Sequence, residues 1–169
     1  REIDVGALLT NGRAVEPGSP GANAVAAARE AGVSCRTLRA GDRLRMAGGA
    51  EIEILHPGPN PPEDRPDNDS SIVSMLRYGD VRVLLPGDIE ASAEREIIRR
   101  ARRRGRSLQS TVLLLPHHGR KTSSSAALLD AVHPQLAVVS GADSRYRPAH
   151  PSVMRRLKER SIPVISSDI

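Results

Sequence analysis

Two stretches decide the reading of this chain: Leu84-Leu85-Pro86-Gly87-Asp88 and Leu114-Leu115-Pro116-His117-His118-Gly119-Arg120-Lys121-Thr122-Ser123-Ser124-Ser125. Each is an apolar run that stops at a side chain able to hold a metal, Asp88 in the first and His117 with His118 in the second. Strands that end in such groups present chemistry at the rim of an α/β sheet. A carboxylate with imidazoles suits zinc, manganese or iron better than a structural thiolate site does. Two positions do not make a site, so the rest of the chain has to supply context.

Working outward, Ser71 to Tyr78 and Val81 to Leu85 read as strands joined by the two-residue turn Gly79-Asp80. Residues 90–104 read as a helix with Glu early, Arg late and Gly105 as its stop. From residue 111 the order is strand, helix 123–132, strand 135–140, helix 151–160 and strand 162–166. Upstream, residues 3–9 predict a strand, and Ser19-Pro20 opens a helix that Gly32 closes. Short strands follow near 33–39, 43–47 and 50–55, the last two joined by Gly48-Gly49. Residues 56–68 hold five prolines without periodicity and read as a surface loop. Hairpins followed by alternating strand and helix indicate an α/β sheet covered by helices.

The chain has 169 residues, enough for one domain or a large piece of one. Phe and Trp are absent and Tyr occurs twice, so Val, Ile, Leu and Ala must build the core. The same lack argues against a nucleic-acid surface of stacking aromatics. The net charge of +5 is carried almost wholly by Arg, with Lys only at 121 and 158. A polyanionic partner fits that charge, and so does a compositional bias toward Arg. The single Cys35 excludes a disulfide within the chain. No apolar run is long enough to span a bilayer.

Several segments together resemble the metallo-β-lactamase superfamily, and within it the hydrolase-like domain of the ComEC-type competence proteins for DNA uptake. They are Leu55-His56-Pro57, Asn68-Asp69-Ser70-Ser71-Ile72-Val73, Leu84 to Glu90, Pro116 to Ser125, Ser144-Arg145-Tyr146 and His150-Pro151. The resemblance implies the C-terminal half of a four-layer αββα sandwich. It implies metal-dependent hydrolysis of DNA phosphodiesters during natural transformation, with two divalent ions, zinc or manganese. By the resemblance Asp88 and His117 are metal ligands, and His118 and His150 serve the departing oxygen. His118 is the alternative ligand to His117. Arg120, Lys121, Ser123 and Ser124 would hold the phosphate, with Asn68 and Ser71 in a loop nearby.

The superfamily's H-x-H-x-D-H or H-x-x-x-D-H loop has no counterpart in this chain, and Pro148 stands where the family often shows a second His. The chain is therefore expected to begin after that loop, with most metal ligands upstream. It would be a piece of a membrane-embedded bacterial protein, its domain on the extracytoplasmic side. Its partners would be DNA, the other half of the domain, the membrane channel and other competence proteins. Two rival readings are a hydrolase of RNA or of a small ester or lactone, and a degenerate domain that guides DNA without cutting it.

Each candidate also has a plain structural reading. Asp88 could serve a helix dipole, worth about 0.3–1 kcal/mol. Thr122 to Ser125 is first of all an N-cap cluster. His117 and His118, in an extended chain, are expected to face opposite ways. His150 makes a poor cap, which favours a site-facing role; His56 reads as structural and His133 as a cation at a helix end. Six Arg within residues 99–106 are either a solvated face or a track along a DNA backbone.

Overall fold

The computed structural model describes residues 4–140 and 149–166. The expectations placed on Ser144-Arg145-Tyr146 and Pro148 lie outside the described residues. The elements, in order, are β1 (Ala7–Thr10), α1 (Pro20–Glu30), β2 (Ser34–Thr37), β3 (Arg43–Arg45), β4 (Glu51–His56), β5 (Val73–Tyr78) and β6 (Val81–Leu85). They continue with α2 (Ala91–Arg103), β7 (Val112–Leu114), α3 (Ala126–Val132), β8 (Leu136–Val139), α4 (Pro151–Lys158) and β9 (Val164–Ser166).

β3 to β9 form one seven-stranded sheet in sequence order, and β1 pairs with β2 in a separate two-stranded parallel sheet. β3 to β6 run antiparallel, with a two-residue turn between β5 and β6 and the proline-rich loop between β4 and β5. β6 to β9 are parallel, and each step carries one helix, α2, α3 or α4. A parallel step needs such a crossover because the chain must return to the starting edge before it can pair again. The change of pattern read from the sequence is therefore the change from hairpins to crossovers within one mixed α/β sheet.

Period two decides what each strand buries. Val73 and Met75, Leu84, Leu113 and Ala137 point to one face, where Ile97, Leu128, Leu129, Val132, Val153 and Leu157 from the helices cover them. Burying an aliphatic side chain of this kind stabilises by about 1.5–3 kcal/mol. The alternate positions Leu76, Val83, Leu85, Val112, Leu114 and Val138 face away from the helices and are only half-buried.

Local signals act as read at several ends. Ser19 caps α1 by accepting from Ala22 N at 3.2 Å, and Ser125 caps α3 by accepting from Leu128 N at 3.2 Å. The proline-rich loop is not wholly superficial, because His56, Pro57 and Gly58 at its start and Asp69 and Ser70 just after it are buried. His133 ends α3 in the left-handed region, φ 44°, its N–H bonded to Leu129 O, so its backbone provides the cap.

Candidate functional site at the sheet rim

The parallel strands β6 and β7 end side by side, and their following loops meet. Leu84 is level with Leu113, so Asp88 and the His117-His118 turn leave the same edge. His117 N donates to Gly87 O at 3.1 Å and joins the two loops. A third loop, around the turn Asn68–Ser70, completes the rim: Ser71 Oγ accepts from Asp88 N at 3.2 Å. Gly87, at φ 61°, lies so close to Ser71 that a β-carbon would come within 2.9 Å of its Cβ. The glycine is required by both the turn and the approach.

The turn Pro116–Gly119 corrects the extended chain expected at His117 and His118. Both histidines take left-handed backbone angles, at φ 50° and 54°, followed by Gly119 at φ 75°. For a residue with a side chain this region costs about 1–2 kcal/mol. Such strain persists only where the surroundings impose it, and it concentrates at functional sites. Here Ser123 imposes it: its hydroxyl is within hydrogen-bond reach of Pro116 O at 2.7 Å and Arg120 O at 2.9 Å. His150 N, bonded to Gly119 O at 2.9 Å, closes the turn from the other side.

In this geometry His118 faces Asp88, with Nε2 3.8 Å from Oδ1. Its Nδ1 lies 2.7 Å from Ser140 O. A carbonyl only accepts, so Nδ1 donates to it, and Nε2 is turned toward the carboxylate. The side chains of Asp88 and His118 are 47% and 35% exposed, open enough for a solute to reach. His117 turns instead to Glu90, its Nδ1 3.2 Å from Oε1 but out of line for a hydrogen bond. Glu90 also accepts from Thr122 Oγ1 at 3.0 Å.

Asp88 and His118 are donors of the chemistry that zinc or manganese takes. Two groups on one ion at about 2.0–2.2 Å each must lie within about 4 Å of one another, as these do. Among the described residues no three His, Cys, Asp or Glu side chains converge on a point, so this pair does not complete a metal site.

The remaining candidates divide. Arg120 and Lys121 are exposed next to the turn. Ser123 and Ser124, expected at a phosphate, are buried at 1% and 0% exposure. The Ser123 hydroxyl lies against the turn carbonyls, and Ser124 has its own N–H bonded to Glu94. His150 does cap α4 after all, its Nδ1 accepting from Ser152 N at 3.2 Å and lying 2.8 Å from Ser152 Oγ. Asn68 sits in the turn beside Ser71. His56 is fully buried, with Nε2 2.8 Å from Asp69 O, and burial is the main cause that lowers its pKa.

Sequence reasoning passed over three carboxylates. Asp69 accepts from Glu90 N at 2.7 Å and from Ser92 Oγ, and so caps α2 in place of Glu90's own side chain. Glu90 faces His117. Glu94, at 0% exposure, accepts from Ser124 N at 2.6 Å and Ser125 N at 3.0 Å. Its position on the buried face with Ile97 and Ile98, three and four residues on, is the signal that a helical wheel would have shown.

Comparison with known proteins follows the same line. The chain is 33% identical over 122 residues to the competence protein ComA of Neisseria gonorrhoeae, covering 72% of this chain and 17% of that one. Over 143 residues it is 30% identical to ComE operon protein 3 of Bacillus subtilis, covering 84% and 18%. This chain belongs with the ComEC-type competence proteins. It spans less than a fifth of the length of these curated relatives. No protein-family model matches it. A crystal structure from Parabacteroides distasonis, of a protein described as a metal-dependent hydrolase, superposes with a TM-score of 0.52 over 95% of this chain and 74% of that one, at 14% identity. The ComEC-type segment therefore has a hydrolase-like α/β fold. None of its described helices is long and apolar enough to cross a membrane.

Proposed function

We propose that this segment is the metal-dependent hydrolase part of a competence protein and cleaves DNA phosphodiesters during uptake. The observation that carries the reading is the convergence of Asp88 and His118 Nε2, at 3.8 Å, on a solvent-open rim built from two strained histidines. Membership of the competence family supports DNA as the substrate class.

In this reading Asp88 and His118 hold part of a divalent metal centre, and further donors come from outside the described residues. Such ions, when bound, lower the pKa of water and offset the charge that develops on phosphorus. The Ser140 carbonyl keeps the His118 ring oriented with Nε2 toward Asp88. Ser71 fixes the backbone that carries Asp88. His117, beside Glu90, is placed to take up and give back a proton at the rim. Arg120 and Lys121 offer charge to the phosphate. The half-buried outer face of the sheet packs on the rest of the domain, and the whole protein belongs to the membrane machinery that moves DNA.

The test is manganese- or zinc-dependent cleavage of end-labelled DNA by the full-length protein, with Asp88→Asn and His118→Gln beside it. Cleavage that both substitutions abolish is the expected result. Cleavage that survives Asp88→Asn refutes the assignment. Binding without cleavage in the unaltered protein would instead select a domain that guides DNA without cutting it.

A further inference from the structure

The solvent face of α2 carries a row of arginines that neither the hydrolase chemistry nor the fold uses. At 3.6 residues per turn, Arg95, Arg99 and Arg102 fall within about 60° of one another and within about 10 Å along the axis. All three are exposed, while the opposite face of the helix buries Ala93, Glu94, Ile97 and Ile98. Other arginines nearby are spoken for: Arg65 and Arg100 by Glu96, Arg77 and Arg106 by Glu53. Among the described residues the three in the row have no carboxylate partner.

Helix stability does not account for the row. Arg102 sits in the last turn, where the dipole favours a cation, but Arg95 is the fifth residue of α2, near the end where the dipole opposes one. The helix starts three residues after Asp88, so the row begins beside the rim and leads away from it.

We infer that this row of α2 binds the phosphodiester backbone of a DNA strand and leads it to the Asp88 rim. The inference rests on the reading of that rim as a DNA site. Along the axis of duplex DNA each strand carries one phosphate per about 3.4 Å, so three guanidinium groups spread over about 10 Å lie within reach of several phosphates of one strand. Guanidinium groups, which bind phosphate through two parallel N–H bonds, suit that partner better than ammonium groups do. An anionic membrane surface would also attract the charge. A helix that lies on a membrane needs an apolar face to insert, and the apolar face of α2 is already buried in its own core.

The experiment uses the full-length protein with Arg95→Ala, Arg99→Ala and Arg102→Ala combined, and the corresponding triple Lys variant. Affinity for a fluorescein-labelled DNA strand is measured against salt concentration. The slope of log affinity on log salt should fall by about 2–3 in the Ala variant, and the Lys variant should restore it. An unchanged slope, or no DNA binding by the unaltered protein, overturns the inference. So does a loss confined to vesicles of phosphatidylglycerol and phosphatidylcholine, which would make the row a membrane contact. A slope that falls as expected while the protein cuts no DNA retains the row and removes the hydrolase reading. Cleavage that requires Asp88, with a slope that ignores the arginines, does the reverse.

Discussion

Removing Glu94 tests whether one buried carboxylate holds the Ser124–Ser125 loop in place. Both of its oxygens accept backbone N–H groups, from Ser124 at 2.6 Å and Ser125 at 3.0 Å, and the side chain is wholly buried. A hydrogen bond to a charged group contributes about 1.5–3 kcal/mol, so two such bonds set an upper limit near 3–6 kcal/mol. Burial works against them, and it is the main reason that the pKa of Glu94 is raised. Glu94→Ala should therefore cost about 2–4 kcal/mol, much of it from the two amides left without acceptors. At about 2–4 °C per kcal/mol for a domain of this size, Tm should fall by about 4–16 °C. Circular dichroism melts of this variant against the exposed control Glu30→Ala would measure it. A Tm within about 2 °C of the control's would refute the reasoning.

Glu94→Gln adds a check on sign. A carboxyl whose folded pKa is raised contributes stability that is complete below its unfolded value of 4.5 and is lost as pH rises through the folded value. The stability of the unaltered protein relative to the Gln variant should thus decline as pH rises above that point. A difference that stays flat, or grows with pH, would contradict the assignment.

Further outcomes follow from the same structure. The pKa of His56 is lowered chiefly by burial, so the stability tied to its neutral ring is present above 6.5 and is lost as pH falls below it. Urea midpoints between neutral and acid pH should show this loss and His56→Gln should flatten it; equal slopes would count against it. Gly119→Ala places a β-carbon 2.5 Å from Ala149 Cβ at φ 75° and should cost about 2–4 kcal/mol. Gly79→Ala meets open space at φ 55° and should cost only the backbone penalty of about 1–2 kcal/mol. Equal losses in denaturant midpoints would show that Gly119 is not confined by its neighbour.

The order of elements was legible because period-two strands, helix caps and turn glycines act within a few residues. Ser19-Pro20, Gly79-Asp80 and Gly105 each mark a boundary that the structure keeps within a residue or two. The rim was legible for a related reason: Asp88 and the two histidines follow apolar strands, and parallel pairing of β6 with β7 brings strand ends together. The i,i+4 pair of Glu96 with Arg100 was equally local, and it closes at 2.5 Å.

What could not be read depends on contacts between residues distant in sequence. Which histidine faces Asp88 is decided by a left-handed turn that Ser123 and Gly119 hold, and backbone angles of that kind are not written in residue type. That Glu94, thirty residues upstream of Ser124, takes the amides of Ser124 and Ser125 shows only once α2 packs beneath that loop. Asp69 reads as a loop residue until α2 docks on it and takes its carboxylate as a cap. The sequence by itself determined the α/β pattern, the strand-end positions of Asp88 and His117-His118, and the arginine-rich helix, because these follow from local periodicity and spacing. Only the tertiary structure decided which polar groups are spent inside the fold and which remain at the rim, because a buried hydrogen-bonding group takes whichever partner packing brings within about 3 Å.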